Sequence, residues 1–151
     1  MTQATFYILN KKHEHERYLF ACKLAEKAIH QNLRVILNMP SRDAADHIDS
    51  LLWTFRPDSF VPHELISDES SNITQPPPVS IFYPQVAPDA PADICINLTD
   101  TPPPASIRVD RKIEIALNSP ESLSRLRQYY KQLASEKIAI EVHDFTKGKT
   151  D

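Results

Sequence analysis

Glycine is almost missing from this chain: its 151 residues hold one, Gly148, near the C-terminus. Loops that cradle phosphate need glycines, because only a residue without a Cβ lets successive backbone N–H groups close on the ligand. Neither G-x-G-x-x-G nor G-x-x-x-x-G-K-[ST] can be written anywhere in the sequence. A nucleotide enzyme of the usual α/β kind is therefore not expected. Cysteine is scarce as well. Cys22 and Cys95 stand far apart, on what read as a helix face and a strand. That excludes a disulfide framework and leaves two small buried hydrophobes as the expectation. No apolar run approaches the roughly 20 residues that a membrane span requires. The start, Met1-Thr2-Gln3-Ala4-Thr5, lacks the basic opening and apolar stretch of an export signal. A cytoplasmic address and no membrane contact are expected. An excess of positive charge is absent too: the formal net charge is −3. Phosphate contacts dominate nucleic-acid affinity, so this argues against a dedicated nucleic-acid binder.

What is present reads as a globular chain, 41% hydrophobic and 25% charged. The expectation is one domain over 1–145, with 146–151 as a flexible tail. The charges are unevenly spread. Arg108, Arg111, Lys112, Arg125, Arg127 and Lys131 gather in the last third, while Asp43, Asp46, Asp49, Asp58, Asp68 and Glu69 lie in the middle. Local sign matters more than the total.

Short β-branched and aromatic runs mark strands at 4–9, 34–37, 79–83, 93–98, 112–117 and 138–142. A helix is expected over about 14–31, with Tyr18, Ala21, Cys22, Ala25 and Ile29 on one face. Ser41 can cap a second helix whose core stripe is Ala44, Ile48, Leu51, Leu52 and Phe55, with Trp53 pointing away from it. Pro57 and Pro62 keep the segment around Phe60 and Val61 from being helical. Ser119-Pro120-Glu121 is a strong helix start: a capping hydroxyl, a proline in the first turn and an acid at the positive dipole end. That helix runs to about 135 and should bury Leu123, Leu126, Tyr130 and Leu133. The polar, proline-rich segments 67–78 and 101–106 read as surface loops. Alternation of strands and helices implies right-handed crossovers. The fold class expected is α/β: a three-layer α/β/α sandwich with a mainly parallel sheet of about five strands and helices on both faces.

Candidate chemistry is thin. His13-Glu14-His15-Glu16 resembles a metal cluster, but two histidines two apart on a helix diverge, and the plainer reading is a solvated helix start. His30, His47, His63 and His143 are scattered, and spacing nominates no Ser-His-Asp or Cys-His arrangement. No catalytic site, metal or cofactor is expected. Two features stand out instead. Trp53, on the wrong side of an amphipathic helix and followed by Phe60, must bury itself under the next loop or in a partner. Arg127 and Lys131, four apart, flank Tyr130 on one edge of the last helix. They are either solvated cations beside a core tyrosine or a clasp for a carboxylate with an apolar side chain next to it.

These features carry a resemblance. The stretch Leu52-Trp53-Thr54-Phe55-Arg56-Pro57-Asp58-Ser59-Phe60-Val61-Pro62-His63 resembles the chi subunit family of DNA polymerase III, with its Leu-Trp pair, Arg-Pro and Ser-Phe-Val-Pro-His. So do Arg127, Tyr130 and Lys131 of the last helix, the opening strand from Ala4, and Asp93-Ile94-Cys95-Ile96-Asn97-Leu98. The resemblance spans about 4–145. It implies a non-catalytic adaptor in DNA replication. One surface would hold the psi subunit, which ties chi to the clamp loader, through Trp53, Phe60 and Val61. A helicase-type protein could occupy the same surface. Another would take the acidic, apolar-ended C-terminal tail of single-stranded DNA-binding protein through Arg127, Tyr130, Lys131 and Leu117. A competing reading is a direct single-stranded nucleic-acid module built on the basic C-terminal third.

Overall fold

In chain order the strands and helices are β1 Gln3–Ile8, α1 Glu14–Ile29, β2 Val35–Asn38, α2 Arg42–Thr54, β3 His63–Ile66, β4 Val79–Phe82, β5 Ile94–Asn97, β6 Arg111–Ala116, α3 Pro120–Ser135 and β7 Ala139–Asp144. The computed structural model describes residues 2–56, 61–66, 77–83, 92–103 and 107–146. The strands form one sheet in the order β3-β4-β2-β5-β6-β1-β7. Every pairing in it is parallel.

A parallel strand buried on both faces should be a continuous apolar run, and β2, β4 and β5 are buried at all four positions. One face packs under α1 and α2: Leu9, Val35, Leu37, Ile81, Ile96, Ile113 and Ile115 join Ala21, Cys22, Ala25, Ile48 and Leu52. The other face carries α3, with Ala4 and Phe6 against Tyr129 and Leu133. Beside α3 the same face is covered by an irregular segment, where Ile107 and Val109 pack on Ile36, Phe82 and Cys95. Helices thus lie on both faces, as the alternation of elements predicts.

Three expectations need correction. The sheet has seven strands, not about five. β3 is an edge strand right after Pro62, where the missing N–H leaves no gap in the ladder. On α3, Tyr129 is the buried tyrosine, 5% exposed, while Tyr130 is 45% exposed. Both lie within a turn of Leu126 and Leu133, so helical period alone cannot choose between them. Phe6 chooses: its ring stacks on Tyr129 at 5.8 Å and 24°. On α2 the stripe is rotated slightly, so that Ala45 is buried rather than Ala44.

With almost no glycine, both helix exits that turn left-handed use other residues, Asn32 at φ 62° and Lys137 at φ 60°. After α3 the Ile138 N–H reaches the Leu133 carbonyl and the Lys137 N–H the Ala134 carbonyl. This is a Schellman ending, with Ile138 and Leu133 in the same apolar cluster.

Candidate functional site

α3 is set at a defined height by its first turn. The Ser119 side chain accepts from the Ser122 N–H, Pro120 occupies the first turn, and the Leu117 N–H donates to Ser122 Oγ at 2.9 Å. Leu117 itself is buried, 8% exposed, in the cluster under α1 and α2. It is therefore a support for the start of α3 and not a wall of any surface pocket, because its side chain leaves β6 on the face opposite α3.

Tyr130 stands out of the core with its ring edge-on to Phe6 at 6.1 Å and 69°. Its direction follows from its neighbours. Arg125 and Tyr129, on one flank of the helix, line a cleft over the ends of β5 and β6. Tyr130 lies on the other flank, toward β7. Going further round that flank come Arg127 and Lys131, both exposed and in no ion pair among the described residues. Phe6 is opposite Val142 in the β1–β7 register, and Val142 is 45% exposed. The result is an apolar strip of Tyr130 and Val142 floored by the buried Phe6, with two cations along its helical side that pair with no acid among the described residues. Such a surface can take a carboxylate beside an apolar group.

The second predicted surface is on the opposite layer. Trp53 is 56% exposed on α2, and its ring meets the His63 ring edge-on at 4.9 Å. His63 Nδ1 lies 2.6 Å from the Val61 carbonyl and Nε2 3.0 Å from Asp49 Oδ1. Val61 is buried, 1% exposed, so it lies beneath this surface and not on it. Phe60 lies outside the described residues.

Reading the sequence missed a buried polar row across the α3 face of the sheet. Asn38, Asn97 and Glu114 align in register at the carboxyl ends of β2, β5 and β6. Asn38 Nδ2 donates to Asn97 Oδ1 at 3.0 Å, and Asn97 Nδ2 donates to Glu114 Oε1 at 3.3 Å and to the Thr101 carbonyl at 2.9 Å. Glu114 Oε2 has no partner. Burial pushes this carboxyl up to about 8, against the opposing pull of the Asn97 hydrogen bond and the charges of Arg17 and Lys112. Beside it Arg17, buried, donates from Nε to the Ile115 carbonyl at 2.7 Å and pairs with Glu14 at 2.6 Å. The signal available was that β2 and β5 both end in asparagine and β6 places Glu114 between isoleucines. The cleft here has a volume of about 40 Å³. That is room for one or two waters, against the roughly 300 Å³ or more of a small-molecule site.

Other sequence features carry little chemistry. Cys22 and Cys95 are free and buried, and burial pushes both thiols up to about 12. His15 and Tyr18 each meet the ring of His47, at 5.8 and 5.5 Å, where α1 crosses α2. Among the described residues no group of three or more His, Cys, Asp or Glu is placed to hold a metal ion, and no helix is long and apolar enough to cross a membrane. The basic C-terminal third is not one surface: Lys112 is buried and Arg125 pairs with Asp100 at 3.5 Å.

A family model described as "DNA polymerase III chi subunit, HolC" matches residues 1–141. The DNA polymerase III subunit chi of Pseudomonas aeruginosa is 27% identical over 143 residues, covering 95% of this chain and 96% of that protein. The protein of the same name from Haemophilus influenzae is 30% identical over 131 residues, covering 86% and 88%.

Proposed function

The chain belongs to the DNA polymerase III chi subunit family, and on that premise we propose that it is an adaptor of the replicative polymerase with no chemistry of its own. It holds the C-terminal tail of single-stranded DNA-binding protein on α3 and the psi subunit on the surface around Trp53, to which the family resemblance adds Phe60, with Val61 buried as a support. The clamp loader, reached through psi, is thereby coupled to protein-coated template.

The observation that supports this reading most is Tyr130, 45% exposed, with Arg127 and Lys131 beside it, which pair with no acid among the described residues. Tail carboxylates pair with the two cations, and the terminal apolar side chain covers the tyrosine ring. Both cations are exposed, so each contact is individually weak and screened by salt. Affinity comes from making them together. The exposed Trp53, edge-on to the His63 ring, suits the second role, because one large aromatic side chain can bury much apolar area in a partner.

A labelled tail peptide titrated at low salt tests the first contact. Arg127→Glu and Lys131→Glu should each weaken it by at least about tenfold, because charge reversal replaces an attraction with a repulsion of the tail carboxylates. The circular dichroism spectrum should not change. Removing the peptide's final apolar residue should weaken binding similarly. Unaltered titration by both charge-reversed variants refutes the assignment. Direct binding of single-stranded nucleic acid draws less support, since Lys112 is buried and Arg125 is already paired. A steep salt dependence with bare oligonucleotide, and no response to the peptide, would favour it.

A further inference from the structure

Among the described residues, nothing pairs with the far side of β7 in the sheet. β7 is a terminal strand of the sheet, and its pattern is largely exposed. In a parallel pair, alternate residues direct both backbone groups to the same neighbour. The Phe145 N–H donates to the Ile8 carbonyl at 2.9 Å, which assigns the odd-numbered residues of this segment to β1. The N–H and C=O of Ile140 and Val142 therefore point outward, away from the sheet. An unprotected edge of this kind is a template for another strand. The side chain of Val142 lies on the α3 face, beside Phe6 and next to the Tyr130 flank. On the other face of β7, Glu141 is taken up by His143 at 2.9 Å, and His143 stacks on Tyr7 at 5.0 Å. Asp144, the acid nearest the strip, accepts from the Thr146 N–H at 2.9 Å.

We propose that the acidic, apolar-ended peptide binds as an added strand on the open edge of β7, its main chain paired with Val142 while its side chains meet Tyr130, Arg127 and Lys131. The inference rests on the tail-binding reading above and deepens it by assigning the binding mode. Charge complementarity selects the occupant: Arg127 and Lys131 beside this edge are exposed and pair with no acid among the described residues, and Glu141 lies on the other face of β7. An added strand lies roughly 4.8 Å from β7, so the peptide side chain opposite Val142 projects over the same strip that Tyr130 walls. Main-chain pairing also supplies affinity that two screened cations cannot, and leaves specificity to alternate side chains.

Two measurements test it. The first is Val142→Pro, which removes the outward N–H and costs no hydrogen bond to β1; proline is tolerated at such an edge position. The variant should keep its circular dichroism spectrum and bind the tail peptide at least about tenfold more weakly. The second uses wild-type protein with peptides N-methylated at single positions. Methylation at one alternating set should weaken binding about tenfold, and at the other set leave it unchanged. This series decides the matter if Val142→Pro does not fold. Equal binding by all N-methylated peptides overturns strand addition. If Arg127→Glu still abolishes that equal binding, the tail-binding reading survives its loss. A peptide that fails to bind wild-type protein sinks both. A wild-type dimer in sedimentation that Val142→Pro dissociates, with peptide binding unchanged, would assign the edge to a second copy of the chain and also overturn the proposal.

Discussion

Glu114 is the residue whose chemistry departs most from its exposed counterpart. Its carboxyl is raised to about 8 by burial, from an ordinary value of 4.5. Between those values the folded state binds a proton that the unfolded chain has lost. Stability from this group is then full below the unfolded pKa and falls as pH rises through the window, by up to about 1.4 kcal/mol per pH unit. Glu114→Gln keeps the shape and the Asn97 contact without an ionisable group. Denaturant unfolding of the two proteins from pH 5 to about 8 should show the slope in the wild type and its loss in the variant. Equal slopes would mean that the carboxyl titrates at its ordinary value. At the same scale lies the choice between Tyr129 and Tyr130, which the sequence left ambiguous. Adjacent tyrosines on one helix differ only by where Phe6 happens to sit, and Phe6 is more than a hundred residues away.

Among the elements, α3 was the most legible in advance. Ser119, Pro120 and Glu121 marked its start because capping is a local matter, satisfied by the residue itself. Its end at about 135 was legible too, but nothing in the sequence marked Lys137 as the residue that makes the left-handed turn. A non-glycine residue there costs about 1 kcal/mol. Lys137→Gly is expected to raise stability by several tenths of a kcal/mol to about 1 kcal/mol, the gain being reduced by glycine's greater freedom when unfolded. Thermal unfolding would register this as a rise of a few degrees at most for a chain of this length. A fall in melting temperature would show that the Lys137 side chain contributes more than its backbone costs. β3 escaped notice because Pro62 reads as a breaker, and only the presence of β4 beside it makes His63–Ile66 a strand.

At the scale of the whole molecule, the two proposed docking surfaces belong to different layers. Trp53 is on α2, above one face of the sheet, and Tyr130 is on α3, above the other. They share no side-chain contact among those described, so their effects should add. Trp53→Ala should leave tail-peptide affinity within about twofold of wild type, since distant sites couple by only a few tenths of a kcal/mol. Lys131→Glu should in turn leave psi binding unchanged, and isothermal titration of both ligands against both variants checks the pair. Cross-effects of tenfold or more would require a transmitting path through the sheet. The parallel sheet also explains why the α3 cleft is polar. Carboxyl ends of parallel strands open where helices begin, and Asn38, Asn97 and Glu114 fill that space in place of a ligand.

By itself the sequence determined the strand and helix succession apart from β3, the absence of phosphate loops and the family. These depend on short-range signals: hydrophobic period, capping residues, prolines and the scarcity of glycine. It also nominated Trp53, Tyr130, Arg127 and Lys131 through spacing and resemblance. Only the tertiary structure decided that Leu117 and Val61 are buried, that Glu114 meets Asn97, and that β7 ends the sheet beside α3. The reason is that strand order in the sheet does not follow order in the chain, so neighbours across it come from segments with no local signal in common. Burial, shifted acidity and an open edge are properties of those long-range neighbours.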